Sequence, residues 1–189
     1  MLQGLAPHQL CGHLIKKDLY VNNNIFATEG VNQAEDFQVM PRLAYFATNV
    51  ATLHEALYFY DRTTENSFSN NLDIEKSLQI SRAEDIISEF FKDKSKIFQD
   101  SLEVNKARSL INRIKYFSLQ GNDVNEHYND LIITLKEIRH CVVRQLRFDY
   151  RLIALVKRKQ YVGYITRFLN TSYKFYRILC SLRRFHYII

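Results

Sequence analysis

The chain has 189 residues, 47% of them apolar and 13% aromatic, with only five glycines and two prolines. A chain of this length buries roughly 70% of its unfolded surface as one domain and needs no disulfide or metal to hold it, while scarce Gly and Pro disfavour a turn-rich sandwich or barrel. The net charge of +6 is uneven: residues 136–189 hold thirteen Lys and Arg against two Asp and Glu, and residues 1–135 hold thirteen against eighteen.

Residues 1–38 show no clear period, so they are read as an irregular N-terminal segment. NNN at 22–24 and TEG at 28–30 have turn composition, and a short strand is expected near Leu19–Val21 or Ile25–Ala27. From Pro41, tolerated in a helix's first turn, the residues Leu43, Phe46, Ala47, Val50, Leu53, Leu57 and Tyr60 recur at three- and four-residue steps. That spacing predicts one amphipathic helix, ending at the polar stretch TTENSFSNN (63–71).

Ser81-Arg-Ala-Glu84 has the pattern of a capping box, followed by an apolar stripe of Ile86, Ile87, Phe90, Phe91, Ile97 and Phe98. Asp100-Ser-Leu-Glu103 is a second capping signal, ahead of Leu102, Ala107, Leu110, Ile111, Ile114 and Phe117, with a stop at Gln120-Gly121-Asn122. Asp123-Val-Asn-Glu126 opens a further helix through Tyr128, Leu131, Ile132, Leu135, Ile138, Val142 and Leu146, with the stretch EIRHCVVRQ (137–145) inside it. The pattern from 150 onward is helical but denser in Arg, Lys and Tyr. The expected fold is all-α: an up-and-down bundle of four or five helices over 39–150, with a basic, aromatic-rich helical extension over 151–189.

The one-signed C-terminal end points to an anionic partner: nucleic acid, an anionic membrane or an acidic protein surface. Lys157-Arg158-Lys159 and Arg183-Arg184, interleaved with Tyr161, Tyr164, Phe168, Tyr173, Phe175 and Tyr176, suit phosphates and unpaired bases. The same composition suits an amphipathic helix on a membrane surface or a buried helix with its bases facing water. The charge break also fits a change of reading frame near residue 144, which the underlying nucleotide sequence, read in all three frames, would distinguish.

Within EIRHCVVRQ, Arg139, His140 and Arg144 offer positive charge and one titratable group. Cleaving RNA needs a proton acceptor for the 2′-OH, a donor for the leaving oxygen and positive charge on the phosphate. The bland alternative is a solvated basic patch. The stretch resembles the helix motif of the HEPN superfamily, all-helical domains with a pattern of Arg, four to six residues, then His, often as I-R-N-x-I-V-H. Arg139 matches the arginine, His140 the polar position after it, and Cys141, Val142 and Val143 the apolar run.

The family's histidine would fall at 144, 145 or 146, where this chain has Arg144, Gln145 and Leu146. The resemblance implies metal-independent RNA cleavage at a homodimer interface, in a defence or toxin–antitoxin setting. The missing histidine turns the expectation toward a degenerate member that binds RNA without cutting it. In that reading Arg139 holds a phosphate, His140 is the local candidate for proton transfer, and Arg144, Arg147, Lys157, Arg158 and Lys159 add RNA-binding charge. The alternative is a non-enzymatic interaction protein whose basic tail meets an acidic protein partner or a membrane.

Other chemistry finds little support. His8-x2-Cys11-x-His13 lacks a fourth ligand, and His54 opens no HExxH because Tyr58 stands four residues on. His127, at a helix start, is expected to be solvated. GxGxxG, GxxxxGK[ST] and GxSxG do not occur, which disfavours nucleotide hydrolysis, dinucleotide redox chemistry and serine hydrolysis. No cofactor and no metal are expected. Cys11, Cys141 and Cys180 form no CxxC pair, and neither a secretory leader nor an apolar run of about 18 residues appears. A cytoplasmic protein without a transmembrane segment is the expectation.

Overall fold

A computed structural model of the chain describes residues 2, 9–59, 71–120 and 126–146, together with 165, 168, 170 and 171. The fold is all-α, as the composition and spacing predict. The elements are α1 (Lys17–Val21), α2 (Glu35–Phe46), α3 (Ile74–Phe91), α4 (Lys96–Leu119), α5 (Glu126–Glu137) and α6 (His140–Val143), and the described residues 165, 168, 170 and 171 are helical as well. The chain divides into two compact units, Met1–Lys106 and Ala107–Ile189, with the division inside α4. Most of the 151–189 extension and the polar stretch 63–70 lie outside the described residues.

The N-terminal segment is more ordered than its lack of period suggests. No strand forms at 19–21 or 25–27: the first stretch lies in α1 and the second is irregular. The turns at 22–24 and 29–30 are present, and Gly30 takes φ +74°, a conformation that costs glycine nothing. Ile25 and Val31 are buried, and Ile25 joins Val39, Met40 and Leu43 in one core cluster with Leu10, Ile15, Leu19 and Tyr20 against it. Two glutamines fasten this segment. Gln38 Oε1 accepts from the Thr28 N–H at 3.0 Å, and Gln79 Oε1 accepts from the N–H groups of Asn32 and Gln33, each at 2.9 Å.

Three helix starts differ from the sequence reading. α2 begins at Glu35, so Pro41 stands in its interior and not in its first turn. An interior proline costs about 3 kcal/mol, and burial of Phe37, Val39, Met40 and Leu43 offsets it. Glu35 and Asp36 in the first turn complement the helix dipole. α3 is capped by Asp73, whose side chain accepts from the Lys76 N–H at 2.8 Å. Ser81 and Glu84 therefore lie mid-helix, and Glu84 is buried. Asp100 and Glu103 likewise fall inside α4.

The larger correction concerns 47–59. α2 stops at Phe46, Ala47 is extended (φ −72°, ψ 122°), and no helix follows. Thr48, Asn49 and Thr52 are weak helix formers, and no described residue covers the apolar stripe, whose Val50, Leu53 and Leu57 are exposed.

α3 turns Ile87 and Phe91 into a second cluster with Phe37 of α2 and Leu102 of α4, flanked by Phe90 and Phe98. Tyr45 stands among these rings, with centroids 5.7 to 5.8 Å from Phe90, Phe91 and Phe98. Ile97, read as part of the buried stripe, is exposed. In the second unit, Ala107, Leu110, Ile111, Ile114 and Phe117 of α4 are buried, as are Tyr128, Leu131, Ile132 and Leu135 of α5. The stop after α4 falls at Leu119–Gln120 as read, while Gly121–Asn125 lie outside the described residues.

Candidate nucleic-acid interface

EIRHCVVRQ is not inside one helix. α5 ends at Glu137, and the Ile138 N–H turns back to the Leu135 carbonyl at 3.3 Å, a tightening typical of a last turn. Arg139 is non-helical and exposed. The chain then restarts: the Arg139 carbonyl accepts from the Val142 N–H at 2.9 Å, and the Val142 carbonyl accepts from the Gln145 N–H at 2.9 Å.

Packing explains where the segment is held. Val142 is fully buried and Leu146 nearly so, while Cys141, Arg144 and Gln145 are exposed. Two apolar anchors thus seat a short segment that presents Arg139 before the first anchor and Arg144 between the two. The backbone of His140 opens α6, but its side chain lies outside what is described, as do Arg147, Lys157, Arg158 and Lys159. Of the sequence-derived site residues, the structure thus places Arg139 and Arg144 exposed on either side of α6.

The same unit holds polar groups that the sequence reading did not single out. Arg113 of α4 is buried at 2% exposure, within the stripe between Leu110 and Ile114. His127 of α5, read as solvated, is half-buried, with its ring 5.6 Å from that of Phe117 at 84°. Burial pushes its pKa below the ordinary value of 6.5, the Arg113 charge adds to that, and Asp130 opposes it. Ser118 Oγ lies 3.5 Å from the Tyr128 hydroxyl, both groups buried. The one signal in the sequence was Arg113 itself, a charge on an otherwise apolar helical face.

In the first unit, a shallow cleft of about 300 Å³ is lined by Ser88, Lys92, Gln99, Leu102, Glu103 and Lys106. Its cations face carboxylates: Lys106 Nζ lies 3.7 Å from Asp85, and Lys92 pairs with Glu89. Among the described residues no three His, Cys, Asp or Glu side chains come together as a metal site, and Cys11 and Cys141 are free and exposed. No described helix is long and apolar enough to cross a membrane. No protein-family model matches the chain, and no curated protein or solved structure does either.

Proposed function

We propose that the protein binds RNA as a HEPN-like domain without cleaving it, through the exposed arginines on either side of α6 and the basic chain that follows. The observation that carries this reading is how α6 is seated: Arg139 before it and Arg144 after it are exposed, with Val142 and Leu146 buried beside them. A guanidinium on a seated segment binds a phosphate with less loss of side-chain and backbone freedom than one on a mobile loop. Eleven net positive charges over 136–189, thirteen against two, supply the long-range attraction. The positions where the family pattern needs a histidine hold Arg144, Gln145 and Leu146, so the segment provides phosphate-directed charge and lacks the usual proton-transfer partner.

The test is incubation of total RNA with the full chain and with Arg139→Ala, scoring retention and cleavage across a salt series. Retention without cleavage is expected, weakened by the substitution. The salt slope should fall by about 0.7 for each single-strand phosphate that the variant no longer neutralises. Equal retention by both proteins, or no retention at low salt, refutes the reading; metal-independent cleavage refutes its non-catalytic part.

A further inference from the structure

We propose that the ring cluster at the ends of α2 and α3 is a binding site for a trimethylammonium group, and that the chain's own Lys94 occupies it when no ligand is present. Two helix ends build the cluster. Tyr45 and Phe46 close α2, and Phe90 and Phe91 close α3. The ring planes stand at steep angles to one another: 87° for Tyr45–Phe46, 85° for Tyr45–Phe90 and 72° for Phe46–Phe90. Their centroids are 5.1, 5.8 and 6.0 Å apart in the same order. Rings inclined in this way make a corner, in which one small cation meets more than one electron-rich face.

A cation already sits there. Lys94 Nζ lies 4.2 Å from the Phe90 centroid and 5.2 Å from that of Tyr45, both inside the roughly 6 Å reach of a cation–π contact. Among the described residues it forms no ion pair, although Asp93 precedes it in the chain. The ammonium thus rests on ring faces and not on a carboxylate. The backbone adds to the attraction: each helix presents the negative end of its dipole here, and neither has a basic residue in its last turn. Rings and helix ends therefore select positive charge together, and they repel an anionic ligand.

Lys94 is a weak permanent occupant. A primary ammonium is compact and strongly hydrated, so approaching a ring face costs it hydrogen bonds to water. A trimethylammonium group carries the same charge, has no N–H to strip of water, and brings three methyls to an apolar corner. Tyr45 is 43% exposed and Phe46 37%, so the corner is open to a ligand from solvent. Lys94 stands in the short connection between α3 and α4, on a four-carbon stem that leaves by side-chain rotation alone.

The site lies within the first unit and does not rest on RNA binding. Proton NMR of choline with the full chain tests it, because methyl protons held over ring faces move upfield. The wild type, Lys94→Ala and Tyr45→Leu are compared at matched ionic strength. Neohexyl alcohol serves as the uncharged carbon isostere of choline, and N-acetyl-trimethyllysine as the other common source of the group. Lys94→Ala is expected to bind choline about three- to sixfold more tightly than the wild type, the competition that a tethered cation of ordinary cation–π strength exerts. Tyr45→Leu should weaken binding about two- to fivefold, and the alcohol should bind none of the three. The ranking of choline against N-acetyl-trimethyllysine names the source of the ligand. No shift with Lys94→Ala at roughly 0.1 M choline, in a sodium chloride-matched buffer, overturns the proposal. Equal binding of choline and the alcohol overturns it too and leaves an apolar face, as does choline binding that Tyr45→Leu leaves intact. Should Tyr45→Leu fail to fold by circular dichroism, the choline and alcohol titrations of the wild type and Lys94→Ala decide alone.

Discussion

Residues 47–59 and the run 102–118 of α4 have the same kind of apolar spacing and opposite fates. In α4, Leu102, Ala107, Leu110, Ile111, Ile114 and Phe117 are all buried in a 24-residue helix. In 47–59 the stripe is exposed and no helix forms. The difference teaches that period states which residues would share a face, while a second surface decides whether the helix exists. α4 finds apolar neighbours within its own chain, in Phe37, Ile87 and Phe91 for its first part. Helix propensity alone, worth tenths of a kcal/mol per residue, does not substitute for that burial.

The largest test of this contrast removes a side chain from each region. Phe117→Ala should cost about 3–5 kcal/mol, because a fully buried ring leaves a cavity that the surrounding helix refills only in part. For a chain of this size that lowers the thermal midpoint by roughly 6–20 °C, at about 2–4 °C per kcal/mol. Leu53→Ala should leave the midpoint unchanged, because Leu53 is exposed. A matching loss at Leu53 would mean the segment is packed in solution and would break the comparison.

A smaller effect sharpens it at helix starts. Asp73 caps α3 with one hydrogen bond to the Lys76 N–H, and the Ser77 N–H bonds the Asp73 carbonyl at 3.0 Å. No comparable cap follows Phe46 among the described residues. Asp73→Ala should cost about 1 kcal/mol by urea unfolding, whereas Ser81→Ala, at the capping box read from the sequence, should not show a cap's loss. The reverse ranking would mean that α3 starts at Ser81 in solution.

Those starts mark where the sequence was legible and where it was not. The stripes of α4 and α5 were readable because their buried positions repeat over three or more turns, and both the helix class and the stop near Gln120 followed from them. Ser81-x-x-Glu84 misled because a serine and a glutamate three apart also occur mid-helix, and the earlier Asp73 supplies the cap. The break at Ile138–Arg139 was hidden because Ile138, Val142 and Leu146 keep helical spacing across it; the last-turn bond to Leu135 is set by packing, not by a Gly or Pro. At the candidate site, charge was legible as Arg139 and Arg144, but their presentation on either side of α6 was not. The half-burial of His127 depends on Phe117, ten residues away in sequence and beyond the reach of any local pattern.

His127 carries the smallest expected effect, and its sign follows from burial. The folded chain holds its pKa below 6.5, chiefly by desolvation and also through Arg113. Between the folded and unfolded values the unfolded chain binds more protons, so stability rises with pH across that window. The contribution is complete above pH 6.5 and is lost as pH falls through the folded value. Urea midpoints at pH 7.5 and 5.5 should therefore drop more for the wild type than for His127→Gln, which has no such proton to take up. An equal drop would place His127 in water in the folded state, as its position at a helix start first suggests, and would detach it from the Phe117 face that distinguishes the buried stripe of α4 from the open one at 47–59.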